Sequence, residues 1–170
     1  MKLVLPSIKY KSDYSKALEE SKDEVGVTIL RKPKEGESFE EFVKKIKSES
    51  KGLNLPESWV PATELWLADN NVFIGYVNIR HSLTEHLLNI GGHIGYWIRP
   101  SKRHMGYGKK LLALSLLEAK KLGISKVLVT CDDTNIGSRR IIEDNGGILE
   151  NIVENGKDHP LKRRYWIVIE

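Results

Sequence analysis

The run Arg103-His104-Met105-Gly106-Tyr107-Gly108 constrains this chain more than any other feature. It joins an apolar stretch ending at Ile98 to an apolar, glycine-free stretch from Leu111 to Leu122. That pattern reads as strand, glycine turn, helix. A helix N-terminus leaves its first main-chain N–H groups without partners and carries a partial positive charge. Glycines let an anion approach the backbone where a Cβ would stand in the way. Lys102, Arg103, Lys109 and Lys110 surround the turn with positive charge. The residues predict an anion cradle, most simply for a diphosphate.

Two nucleotide patterns do not fit. The Walker pattern needs four residues between its glycines and then Gly-Lys-Ser/Thr, and neither is present. The dinucleotide fingerprint needs a third glycine where this chain has Leu111, and no acidic ribose anchor follows at the expected spacing. Downstream, Lys126 to Cys131 is a short β-rich run. It leads into Asn135-Ile136-Gly137-Ser138-Arg139-Arg140-Ile141-Ile142-Glu143-Asp144-Asn145-Gly146. Read plainly, Asn135 caps a helix and Gly146 ends it.

Together these segments resemble the GNAT superfamily of acetyl-CoA-dependent N-acetyltransferases. Arg-x-x-Gly-x-Gly between strand and helix is similar to the family's pyrophosphate motif. The segment from Asn135 is similar to its second cofactor segment. The resemblance is strong from Gly92 to Gly147 and weak before Pro61. It implies that Arg103, His104, Met105, Gly106, Tyr107, Gly108 and Lys109 hold the diphosphate. It also implies that Asn135 and Ser138 face the pantetheine and phosphates. The strand bearing Tyr96, Trp97 and Ile98 is expected to splay from its neighbour and offer main-chain groups to the pantetheine arm and the thioester carbonyl.

The rest of the chain is consistent with that reading. A length of 170 residues suits one domain, expected to span 1–170. A net charge of +4, carried by scattered lysines, suits an anionic cofactor and gives no basic stripe for nucleic acid. Cys131 is the single cysteine, so no internal disulfide is expected, and its apolar strand predicts a buried thiol. No apolar stretch approaches the ~20 residues of a membrane span. No signal-peptide core opens the sequence, so a soluble, cytoplasmic protein is expected.

Strands are predicted at Leu3–Ile8, Thr63–Ala68, Val72–Ile79, Gly91–Ile98, Lys126–Cys131, Gly147–Val153 and Lys162–Ile169. Helices are predicted at Tyr14–Glu24, from Ser38, at Gly106–Leu122 and after Asn135. Ser38 and Glu41 form a capping box, and Phe39, Phe42, Val43 and Ile46 line one face. Gly52 to Pro61 is expected to be irregular. Periodicity gives an α/β or α+β domain. The resemblance sharpens it to a mixed, mostly antiparallel sheet of six to seven strands flanked by about four helices.

The implied chemistry is direct transfer of an acetyl group to a primary amine of a small molecule or peptide. An alkyl amine with a pKa of ~10 must lose a proton before attack. The departing thiolate needs an acid. The family's strand glutamate matches Ile90 or Gly92 here, and neither accepts a proton. His93 is the first candidate base, with Glu85, His86 and Glu64 as alternatives. The family's helix tyrosine is replaced by Ile142, which leaves Tyr96, Tyr165 or solvent as proton source. Trp59, Trp66 and Trp97 are expected to line an apolar wall for the acceptor. The spacing of His81, His86 and His93 fits no metal-ligand pattern, and no metal is expected. Oligomeric state stays open, with a homodimer among the options. A GNAT-like module that binds acyl-CoA without chemistry is the alternative reading.

Overall fold

The computed structural model describes residues 1–24, 30–53 and 55–169. Its centre is a seven-stranded sheet in the order β1-β2-β3-β4-β5-β7-β6. The strands are β1 (Lys2–Val4), β2 (Ala62–Asp69), β3 (Val72–Arg80), β4 (Ile94–Ile98), β5 (Lys126–Asp132), β6 (Ile148–Val153) and β7 (Lys162–Val168). Every pairing is antiparallel except β4 with β5. That parallel pairing is confined to one register position, Ile94 opposite Val129. Beyond it the two strands part, so the sheet opens into a fork at its middle.

Four α-helices flank the sheet: α1 (Lys11–Glu20), α2 (Phe39–Glu49), α3 (Tyr107–Lys121) and α4 (Ile136–Glu143). Side chains alternate between the faces of a strand, and two apolar cores follow. On one face α1 and α2 cover Trp66, Phe73, Tyr76 and Trp97 with Tyr14, Phe39, Phe42, Val43 and Ile46. Tyr14 stacks on Trp66 with ring centroids 4.8 Å apart. On the other face α3 and α4 bring Leu111, Leu112, Ala119 and Ile142 against Val77, Ile79, Ile94, Val127 and Val129. The predicted capping box forms: the Glu41 amide donates to Ser38 Oγ, and Glu41 accepts from the Ser38 amide.

Element boundaries differ from expectation where local chemistry intervenes. The first strand stops at Val4, before Pro6, and a short helical turn over Ile8–Tyr10 leads directly into α1. The strand expected from Gly91 begins at Ile94. Leu87–Gly91 instead forms a π-helical turn that ends at Gly92, where φ is +66°. A Cβ on Gly92 would sit 2.7 Å from the Leu128 carbonyl, so only glycine allows the chain this close to β5. The stretch from Gly52 to Pro61 is irregular where described; position 54 lies outside the described residues. Among the described residues, no helix is long and apolar enough to cross a membrane.

Candidate active site

The glycine turn leads from β4 into α3. His104 and Gly106 adopt left-handed backbone conformations, with φ of +59° and +77°. Those two reversals aim successive amides the same way. Among the described residues, the amides of His104, Met105, Gly106, Tyr107, Gly108 and Lys109 donate to no protein acceptor. Nothing lies within 4 Å of the place a Gly106 Cβ would occupy, so the concavity is open. Free donors, a helix N-terminus and neighbouring lysines fit a diphosphate.

The two motif glycines have separate jobs. Gly106 supplies the left-handed turn. A Cβ on Gly108 would meet Ile141 Cδ1 at 2.5 Å, so Gly108 lets α3 pack against α4. Lys109 reinforces that contact through Asp144 at 3.0 Å, and its carbonyl accepts from Asn145. Arg103 is spoken for as well. Its Nε donates to the Ile98 carbonyl at 3.0 Å and its Nη2 pairs with Glu24. Arg103 thus folds the turn back on β4.

The α3–α4 side of the fork carries a hydroxyl pair. Tyr96 OH lies 2.7 Å from Ser138 Oγ and ties β4 to α4 across the opening. Asn135 caps α4 by accepting from the Ser138 amide at 2.9 Å, which fixes the serine backbone. Burial raises the Tyr96 hydroxyl above its ordinary range, so it keeps its proton at neutral pH. Cys131 is buried beside Ser138, and burial pushes its thiol up to about 11. The thiol is therefore neutral, as its apolar strand suggested.

Main-chain direction sorts the β4 residues. The Arg80 amide donates to the His93 carbonyl, and the Arg99 amide donates to the Ile74 carbonyl. Residues alternate along an antiparallel pair, so Gly95, Trp97 and Arg99 turn their main chain to β3, while His93 gives β3 its carbonyl and donates its amide to the Leu128 carbonyl on β5 at 2.7 Å. Tyr96 and Ile98 turn theirs toward the fork. This corrects the expectation for Trp97. Its backbone serves β3, its indole is buried, and its Nε1 donates to Glu24 at 2.8 Å. Trp66 is likewise core, while Trp59 is exposed, so the three tryptophans form no common wall.

His93 is also wired differently from expectation. Its Nδ1 accepts the Leu128 amide at 2.9 Å. That bond places the proton of the neutral ring on Nε2. Burial, then the charge of Arg80, lowers its pKa below the ordinary imidazole value. A neutral ring with Nδ1 occupied is a hydrogen-bond donor, not a base. The other candidates lie elsewhere. Glu64 is buried on β2, where its Oε1 accepts from Trp66 Nε1 at 2.9 Å and its Oε2 from Arg31 at 3.3 Å. Glu85 and His86 line a groove of about 550 Å³ with the 153–156 turn. Tyr165 donates to Glu143 on α4 at 3.0 Å. His81 is bonded to Thr63 Oγ1 at 2.8 Å.

Two features escaped the sequence. One is the Tyr96–Ser138 pair, which joins residues 42 positions apart. The other is Arg80, half-buried on the α1–α2 face beside His93 and Gly95. An arginine closing a β-strand carries no signal by itself. Only the β3–β4 register brings it to the fork.

A model of the acetyltransferase (GNAT) domain matches residues 3–148, and the chain belongs to the GNAT acetyltransferase family. No curated protein matches it by sequence. Among solved structures, the microcin C7 self-immunity acetyltransferase MccE, in complex with acetyl-CoA and AMP, aligns with a TM-score of 0.68 at 15% identity. That match covers 98% of this chain and 91% of the other. The ribosomal L7/L12 α-N-protein acetyltransferase RimL, in complex with coenzyme A, aligns with a TM-score of 0.69 at 16% identity, covering 98% and 93%. A variant of spermidine N-acetyltransferase SpeG from Vibrio cholerae aligns at 0.65 and 15% identity, covering 99% and 95%. At these identities the likeness is one of fold.

Proposed function

We propose that this protein is an N-acetyltransferase that moves an acetyl group from acetyl-CoA to a primary amine of a small molecule or peptide, by direct transfer. The row of unpartnered amides from His104 to Lys109, placed beside a forked sheet, is the observation that carries the reading. Solved relatives of this fold hold acetyl-CoA or coenzyme A. When bound, acetyl-CoA supplies an activated thioester.

The chain's own groups divide the remaining work. The α3 amides bind the diphosphate, with Lys102, Lys109 and Lys110 adding positive potential. Tyr96 presents its main-chain groups and Ile98 its amide to the pantetheine arm where β4 leaves β5, the Ile98 carbonyl being held by Arg103. Asn135 holds Ser138 in place, and Ser138 orients the Tyr96 hydroxyl. Tyr96 keeps a proton at OH that the departing sulfur can take. From the opposite face His93 offers Nε2–H as a donor. Glu64 and Glu49 are both committed to Arg31, so neither is free to accept a proton. The acceptor amine gives its proton to water.

The test is release of free thiol from acetyl-CoA with a panel of amines. Acetyl-CoA turnover that depends on an added amine is expected. Tight CoA binding with no thiol release from any amine or peptide favours a binding module instead.

A further inference from the structure

The arginines of this protein are satisfied by acids, with one buried exception. Arg31, Arg99, Arg103, Arg139, Arg163 and Arg164 each pair with a carboxylate. Arg140 is exposed. Arg80 is half-buried, and among the described residues no carboxylate reaches it. Its bonds go from Nη1 to the Gly91 and Gly92 carbonyls, both at 3.0 Å. That leaves Nε–H and both Nη2 protons without an acceptor among the described residues. Trp166 Nε1 is the one fully buried, unpartnered side-chain nitrogen or oxygen among the described residues. The spare Arg80 donors are therefore open to solvent.

Their position is specific. The guanidinium lies over Gly95, with Nη2 3.8 Å and Nη1 3.9 Å from the point a Cβ would occupy. Gly95 is the first β4 residue beyond the last β4–β5 pair. Arg80 and the Tyr96–Ser138 pair thus flank the fork on opposite faces. Buried charges are ordinarily paired, and a guanidinium fork matches an oxyanion with two parallel bonds. The Gly91 and Gly92 carbonyls hold Arg80 in place without neutralising it.

Resting on the acetyltransferase reading, we infer that Arg80 selects acceptors that carry an oxyanion, a carboxylate or a phosphate, close to the amine to be acetylated. The spare Nε and Nη2 donors of Arg80 bind that group on the α1–α2 face. The amine is then held at the fork, facing the thioester. Arg80 is a specificity residue in this scheme and makes no bond to the reacting atoms.

Matched pairs test it: β-alanine against β-alaninamide, and phosphoethanolamine against ethanolamine, followed by thiol release. The anionic member of one pair is expected to win by at least about tenfold in kcat/KM. A preference in the first pair identifies a carboxylate, and in the second a phosphate. Arg80→Gln is expected to bring the ratio to about one, and Arg80→Lys to keep part of it. Equal kcat/KM within both pairs overturns the inference, whatever the variants do. A second readout needs no turnover. With CoA present to fill the α3 amides, acetate or inorganic phosphate is expected to raise the melting midpoint by about 2 °C in the native protein and not in Arg80→Gln. If no amine is acetylated, the acetyltransferase reading fails on its own, and this shift decides for or against an oxyanion site. No shift with either anion then overturns it.

Discussion

Arg99 and Arg80 occupy the same face of the sheet and differ in what surrounds them. Arg99, just past the end of β4, is 6% exposed and uses four of its five N–H donors, three on acids and one on the Phe73 carbonyl. Glu20 takes bonds from its Nε and Nη2 at 2.8 and 2.6 Å, and Asp13 takes one from Nη1 at 2.9 Å. Both acids come from α1, so this arginine clamps the first helix to the sheet. Arg80, at the end of β3, meets only two carbonyls. A guanidinium whose donors are consumed by acids holds structure together. One whose donors stay open beside a fork is available to a ligand.

Substitutions sharpen that contrast. Arg99→Met leaves two partly buried carboxylates without their cation and should cost about 3 kcal/mol, read as a lower urea midpoint at unchanged slope. Arg80→Gln should cost about 1 kcal/mol, the worth of two bonds to neutral acceptors. Equal losses would erase the distinction between the two sites. The Arg99 clamp also has an acid limit. Its hydrogen bond to Glu20 holds that carboxyl at about 2, below the ordinary value of 4.5. A depressed carboxyl stabilises the fold above its unfolded pKa and loses that contribution as pH falls through the folded one. Glu20→Gln should therefore flatten the loss of stability between pH 4.5 and about 2.

The two faces of the fork differ in chemistry as well. Tyr96→Phe should lower kcat about a hundredfold with CoA affinity unchanged, since it removes a proton donor and no diphosphate contact. A loss confined to KM would move Tyr96 out of the chemistry. On the other face, His93 has a lowered pKa and an occupied Nδ1. With water as proton acceptor, kcat/KM should rise about tenfold per pH unit between pH 7 and 9, following the free amine. A plateau above an inflection near or below 6.5 would restore His93 as base.

What the sequence disclosed follows the range of the interactions involved. The proposed cofactor cradle is local: turn, glycine and helix start lie within seven residues, and its donors are main-chain amides. Strand and helix order was legible for the same reason. The capping box at Ser38 and the Asn135 cap are four-residue patterns and formed as read. The acceptor face is assembled from residues far apart in the chain. Trp97 and His93 were misjudged because strand register and the turn that ends at Gly92 decide which way a main chain turns. Arg80 and the Tyr96–Ser138 pair depend on tertiary neighbours that no spacing rule encodes.

Amide chemical shifts of the isotope-labelled protein, followed on addition of CoA, test the central claim most directly. The amide protons from His104 to Lys109 should move downfield together as they take up hydrogen bonds to the diphosphate, and pantetheine alone should leave them in place. Saturable CoA binding that shifts other amides while those six stay still would contradict the account.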